Sequence, residues 1–107
     1  MTDYRVYVIE LEKSVVENNK FSRENPDYQN GKPCVYVGST AATPERRFEQ
    51  HLSDRIRGSS WVRNYAKELL GHAYEDLPQF DSRVEVEDHE ASYAETLRSK
   101  GWGVWQR

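Results

Sequence analysis

Two short apolar runs constrain this chain more than any other feature: VYVI at 6–9 and CVYV at 34–37. Both are β-branched and aromatic, the composition that suits a strand packed within a sheet. YRVYVIELE (4–12) alternates Tyr4, Val6 and Val8 with Arg5, Tyr7 and Ile9, so a strand there would be covered on both faces at its centre. PCVYVG (33–38) reads as a second strand, pairing antiparallel with the first. Between them, residues 13–33 carry NN, NPD and NGKP, a dense set of turn signals. The reading is a long, mobile loop at about 13–32 that connects a hairpin, with VVENNKF forming a brief helical turn.

The second half reads mostly as helices. Thr43 is a good N-cap and Pro44 suits the first helical position. Phe48, Leu52 and Ile56 recur every four residues, which predicts a core stripe. Gly58-Ser59-Ser60 breaks this helix, and a second, SWVRNYAKELL, presents Trp61, Tyr65 and Leu69 before Gly71 stops it. SRVEVED (82–88) alternates like a third strand, with Val84 and Val86 on one face. Asp88 then caps HEASYAETLRSKG, with Ala91, Ala94 and Leu97 inward and Gly101 at its end, and WGVW (102–105) returns as a short edge strand or tail. The order β-β-α-α-β-α predicts an α+β fold: a small, mainly antiparallel three-stranded sheet flanked by helices, in a single domain over 1–107.

A chain of 107 residues with 36% apolar and 31% charged residues must build a compact core from aromatics, which its seven Tyr and three Trp allow. Trp61, Trp102 and Trp105 are read as core or rim residues. The single cysteine, Cys34, excludes an internal disulfide and reads as a small buried strand residue. His72 and His89 have no ligand spacing with it, which argues against zinc. No run resembles a leader or a membrane span, so a cytoplasmic location is the expectation, without membrane contact. The net charge of −3 hides an asymmetry. Residues 43–70 include Arg46, Arg47, Arg55, Arg57, Arg63 and Lys67, whereas 75–95 hold eight acidic groups and only Arg83.

The strand-to-helix junction CVYVGSTAATPERRFEQH holds the unusual residues. Arg47 and His51 lie one turn apart on the helix, beside the predicted Phe48/Leu52 stripe and so at the rim of the core. Gly38 ends the preceding strand, where a glycine permits a tight turn or close backbone approach by a ligand.

Tyr7 within RVYVI, the YVG of 36–38, the helix motif RFEQH and a later helix carrying a glutamate together resemble the GIY-YIG nuclease superfamily. The resemblance spans nearly the whole chain outside 13–32. Here the first motif reads Arg5-Val6-Tyr7 without its glycine, the two tyrosine motifs stand about twenty residues further apart than usual, and the late family asparagine has no counterpart in WGVWQR, although Asn64 offers an amide. The resemblance implies a DNA endonuclease with Tyr7, Tyr36, Arg47, His51 and Glu95 as catalytic residues. Glu95 would be the ligand of Mg²⁺ or Mn²⁺, with Glu90 as the lesser choice.

The residue types suit that chemistry. A divalent ion on one carboxylate would stabilise the leaving oxygen, and Arg47 would neutralise charge growing at phosphorus. Tyr7 would orient or deprotonate the attacking water. A tyrosine of pKa about 10 needs a nearby cation to act so at neutral pH. Tyr36 would share that network and His51 would relay a proton. Gly38 would admit the substrate, and Arg55, Arg57 and Arg63 would steer a phosphate backbone. Two readings from other classes stand beside this one. The first is a catalytically weak nucleic-acid-binding module, favoured by the negative net charge. The second is an interaction protein whose 13–32 loop contacts a protein partner.

Overall fold

The computed structural model describes residues 3–54 and 58–106. The chain runs through β1 (Arg5–Leu11), α1 (Asn19–Glu24), β2 (Cys34–Thr40), α2 (Pro44–Ser53), α3 (Ser60–Tyr65), β3 (Ala66–Leu69), α4 (Arg83–Ser99) and β4 (Gly103–Gln106), with 3-10 turns at Lys13–Glu17 and Gly71–Ala73. It is an α+β fold around a four-stranded mixed sheet of order β3-β1-β2-β4. The expected β1–β2 hairpin forms, antiparallel, with Tyr7 opposite Gly38 and Ile9 opposite Tyr36. The sheet is larger than the predicted three strands because both of its edges acquire a partner.

Each edge is satisfied by a different route. The outer edge of β1 needs hydrogen-bond partners, and Ala66–Leu69 supplies them as an antiparallel strand, pairing Ile9 with Leu69 and Leu11 with Ala66. Leu70 N–H also donates to the Val8 carbonyl at 2.9 Å. The predicted second helix therefore stops at Tyr65, although AKELL is rich in helix formers: the unpaired edge outweighs propensity. On the other side β4 pairs parallel with β2, from Cys34↔Gly103 to Val37↔Gln106, so WGVW does return as an edge strand.

SRVEVED is helical, not a strand. Ser82 caps α4 by accepting from the Glu85 N–H at 3.1 Å, and the helix runs unbroken to Ser99. Its inward stripe is Val86, Glu90, Ala94 and Leu97. Val84 is 70% exposed, and Ala91 faces solvent rather than the core. Gly101 ends α4 as expected, at φ +88°, while Trp102 N–H returns to the Leu97 carbonyl and Gly101 N–H to Arg98.

Both sheet faces are covered. Val6, Val8, Val35 and Val37 pack under α4 with Val86, Ala94, Leu97 and Val104. Tyr7, Ile9, Leu11, Cys34 and Tyr36 point the other way, onto Val15, Phe21 and Val62. The predicted loop at 13–32 contributes to that second layer. Val15 and Phe21 are fully buried, and Asn25 donates through Nδ2 to the Val104 carbonyl while its Oδ1 accepts from Val104 N–H. The turn signals are real, but they punctuate a packed insertion rather than a loose one.

The insertion also shapes a titration. Burial, together with the neighbouring Cys34 thiol, pushes the Tyr28 phenol up to about 12. Because the folded value lies above the ordinary one, Tyr28 stabilises the fold fully below pH about 10 and loses that contribution as pH rises through about 12. A spectrophotometric titration of wild type at 295 nm should show a late tyrosinate step near pH 12. Tyr28→Phe should lose one tyrosine's share of the late absorbance, the Tyr74 and Tyr93 phenols being raised by burial as well.

Candidate active site

α2 carries the site's polar residues because Thr43 fixes its start: the Thr43 hydroxyl accepts from Arg46 N–H at 3.1 Å, and Pro44 occupies the first turn. From there the predicted stripe is corrected. Phe48 is half-buried, Leu52 is 48% exposed and Ile56 lies outside the described residues, whereas His51 is buried at 1%. The helix is rotated so that the imidazole, not leucine, meets the sheet. Such burial requires polar partners for both ring nitrogens, and the fold supplies them.

His51 Nε2 lies 2.7 Å from the Tyr7 hydroxyl. His51 Nδ1 accepts from the backbone N–H of Ser59 at 2.8 Å, so the neutral ring carries its proton on Nε2 and donates it to Tyr7. A protonated ring would set Nδ1–H against Ser59 N–H. Tyr36 completes the cluster, its ring edge-on to His51 with centroids 5.3 Å apart and 6.4 Å from Tyr7. Two tyrosines from adjacent strands and one histidine from the following helix thus meet on the sheet face opposite α4. Tyr7, Tyr36 and His51 are each at most 2% exposed.

Gly38 is needed by this cluster itself. A Cβ at Gly38 would lie 2.5 Å from the Tyr7 hydroxyl oxygen and 2.7 Å from Cζ, so the close approach it permits is that of a side chain. Arg47 sits one turn before His51, partly buried, with its guanidinium on the Gln50 side-chain oxygen. Arg63 donates to the Asp54 carbonyl at 3.4 Å and so closes the end of α2 instead of standing open. Arg55 and Arg57 lie outside the described residues.

The two glutamates of α4 separate clearly. Glu95 is on the solvent flank, 73% exposed in its side chain, with Oε1 2.7 Å from Arg98. It lines a groove with Glu24, Asp27, Tyr28 and Trp102, towards the end of the sheet where Cys34 pairs with Gly103. Glu95 is therefore not brought to Tyr7 and His51. Glu90 is on the inward stripe and only 3% exposed. α4 starts beside the Tyr4–Phe80 bridge, so seven residues into the helix, at about 1.5 Å per residue, Glu90 is about 10 Å along. Its stripe packs on the Val6, Val8, Val35 and Val37 side of the sheet, so Glu90 is not brought to Tyr7 and His51 either. The inward placement of Glu90 was legible in the sequence: Ser82 followed by Glu85 marks a helix start, and from that start 86, 90, 94 and 97 share one face.

Among the described residues no three His, Cys, Asp or Glu side chains form a group able to hold a metal ion. His89 packs between the Phe80 and Tyr93 rings. No described helix is long and apolar enough to cross a membrane. No protein-family model, no curated protein and no solved structure matches the chain.

Proposed function

We propose that the protein is a GIY-YIG-like endonuclease that hydrolyses phosphodiester bonds in DNA. The observation that carries the reading is the Tyr7–His51–Ser59 relay, with Nε2–H directed at the Tyr7 oxygen. A donor aimed at that oxygen stabilises the phenolate relative to the phenol, which is what a tyrosine base requires. Tyr36 packs against both rings and fixes their orientation. Arg47, on the same helix, would grip the non-bridging oxygens of the scissile phosphate and offset the charge that grows there.

The α4 glutamates do not fit a metal at this relay: Glu90 shares the stripe that packs on the Val6, Val8, Val35 and Val37 side of the sheet, whereas Tyr7, Tyr36 and His51 lie on the other side. Glu95 is held by Arg98 on the solvent side, and Glu90 is the α4 carboxylate on the sheet-facing stripe.

A second reading has its own observation. The near-complete burial of Tyr7, Tyr36 and His51 suits a relay that only ties α2 and Ser59 to the sheet, on a nucleic-acid-binding or protein-interaction scaffold without catalysis. Nicking of supercoiled plasmid and of flapped DNA in Mg²⁺ or Mn²⁺ separates the two. Under the nuclease reading, Arg47→Ala and Tyr7→Phe each lower the rate about 100-fold, equivalent to about 2.7 kcal/mol, while Glu95→Gln stays within twofold of wild type. No nicking by wild type, or nicking indifferent to Arg47→Ala and Tyr7→Phe, leaves the scaffold reading.

A further inference from the structure

The insertion between β1 and β2 builds a second feature on the same sheet face as the tyrosines. α1 of the insertion and α3 form the two walls of a groove of about 500 Å³, lined by Asn18, Lys20 and Arg23 on one side and Trp61, Asn64 and Tyr65 on the other. The insertion wall is cationic. Lys20 and Arg23 are exposed and make no ion pair among the described residues; Arg23 reaches only the Asn19 carbonyl, at 3.4 Å. The opposite wall is aromatic. Trp61 stacks on Trp105 with centroids 4.2 Å apart and on Tyr65 at 5.9 Å, so the rings form a rigid, continuous column. Asn64 adds an exposed amide beside it.

Uncompensated cations facing an aromatic column with an amide select an anionic ligand that also has flat rings and hydrogen-bonding edges. An unpaired nucleic-acid strand offers all three: phosphates for Lys20 and Arg23, a base face to extend the column beyond Tyr65, and base edges for Asn64. A duplex offers only its phosphates at such a groove, because its base faces are stacked on each other. The groove is also joined to the relay. Ser59, whose N–H holds His51, is the N-cap of α3, and Trp61 follows two residues later. Glu12 N–H binds the Tyr65 carbonyl at 2.7 Å, and Glu12 lies five residues from Tyr7 along β1, about 17 Å.

We infer that this groove binds an unpaired strand of the substrate and so directs the protein to flapped or gapped DNA. The inference rests on the nuclease reading for its purpose, but not for its test. Fluorescence anisotropy with labelled dT12, rU12 and a 12-base-pair duplex, without metal, reads binding alone. Wild type should bind dT12 or rU12 at least tenfold more tightly than the duplex. Lys20→Glu/Arg23→Glu should weaken single-strand binding at least tenfold, with the far-ultraviolet circular dichroism and melting temperature of wild type. It should also reduce the slope of log K against log salt by about 1.4, for two lost phosphate contacts. Lys20→Arg/Arg23→Lys, which keeps both charges, should restore binding. Tyr7→Phe should lose nicking and keep dT12 binding. Failure of wild type to bind either strand, equal binding of the duplex, or binding unchanged by Lys20→Glu/Arg23→Glu overturns the groove, whatever the nicking assay shows. Strand binding without nicking by wild type retains the groove and removes the nuclease reading.

Discussion

Asn25→Leu should lower the unfolding free energy by about 4 kcal/mol, seen as a fall in the urea midpoint at unchanged slope. The side chain behaves as a peptide group laid against β4. Its Nδ2 donates to the carbonyls of Phe21 at 2.8 Å and Val104 at 3.0 Å. Its Oδ1 accepts from Val104 N–H at 2.8 Å and from Arg98 Nε at 3.2 Å. Leucine has nearly the same shape and none of these bonds, so it strands a buried amide N–H and part of a guanidinium. A buried group left unpaired costs about 1–3 kcal/mol, which makes this one residue worth a large share of a stability of about 5–15 kcal/mol. The exposed cap of α1 gives the contrast. Asn18 accepts from Lys20 N–H at 2.9 Å and Phe21 N–H at 3.4 Å, where water can replace it, so Asn18→Ala should cost about 1 kcal/mol. Equal, small effects at both positions would show that the insertion is not part of the cooperative core.

Gly38→Ala should cost about 3 kcal/mol, at the upper end of what an extra core methyl does, and should dismantle the relay. The new methyl would meet the Tyr7 hydroxyl at 2.5 Å and Cζ at 2.7 Å. The ring cannot retreat: it is fully buried, bonded to His51 and packed beside Tyr36. Tyr7→Phe removes the nearest atom of the clash, so Gly38→Ala should be milder by about 1 kcal/mol in that background. A double-mutant cycle by urea unfolding measures the coupling. Additive effects would mean that the strands separate instead of the ring moving. The same cycle bears on function, because nicking should fall in Gly38→Ala even though glycine has no side chain to offer a substrate.

Much of this molecule could be read from local sequence. The β1–β2 hairpin was legible because two β-rich runs flanked by turn residues have few other ways to hide both faces. The Thr43–Pro44 start of α2 and the Gly101 end of α4 were legible because capping depends on residues adjacent in sequence. Errors arose where the deciding partner was distant. Ala66–Leu69 is a strand because β1 has an open edge, not because of its own residues. SRVEVED was misread because Val-Glu alternation fits a strand as well as a helix when only two turns are considered. With the helix starting at Ser82, Glu90 falls on its buried stripe and Glu95 on its exposed flank.

The sequence by itself determined which residue types were available for chemistry: Tyr7 and Tyr36 within two strands, and Arg47 and His51 one turn apart on a helix. The structure brings the two tyrosines and the histidine together, with Arg47 one turn before His51. Only the tertiary structure decided the roll of α2, and with it that His51 rather than Leu52 is buried. That choice follows from the Ser59 N–H and the Tyr7 hydroxyl, which satisfy both imidazole nitrogens and so remove the penalty of burying them. Helical periodicity ranks residues by hydrophobicity and has no knowledge of such partners. The Tyr7 oxygen is 44 residues from His51 in sequence, and the space above Gly38 that admits it exists only once β1 and β2 have paired.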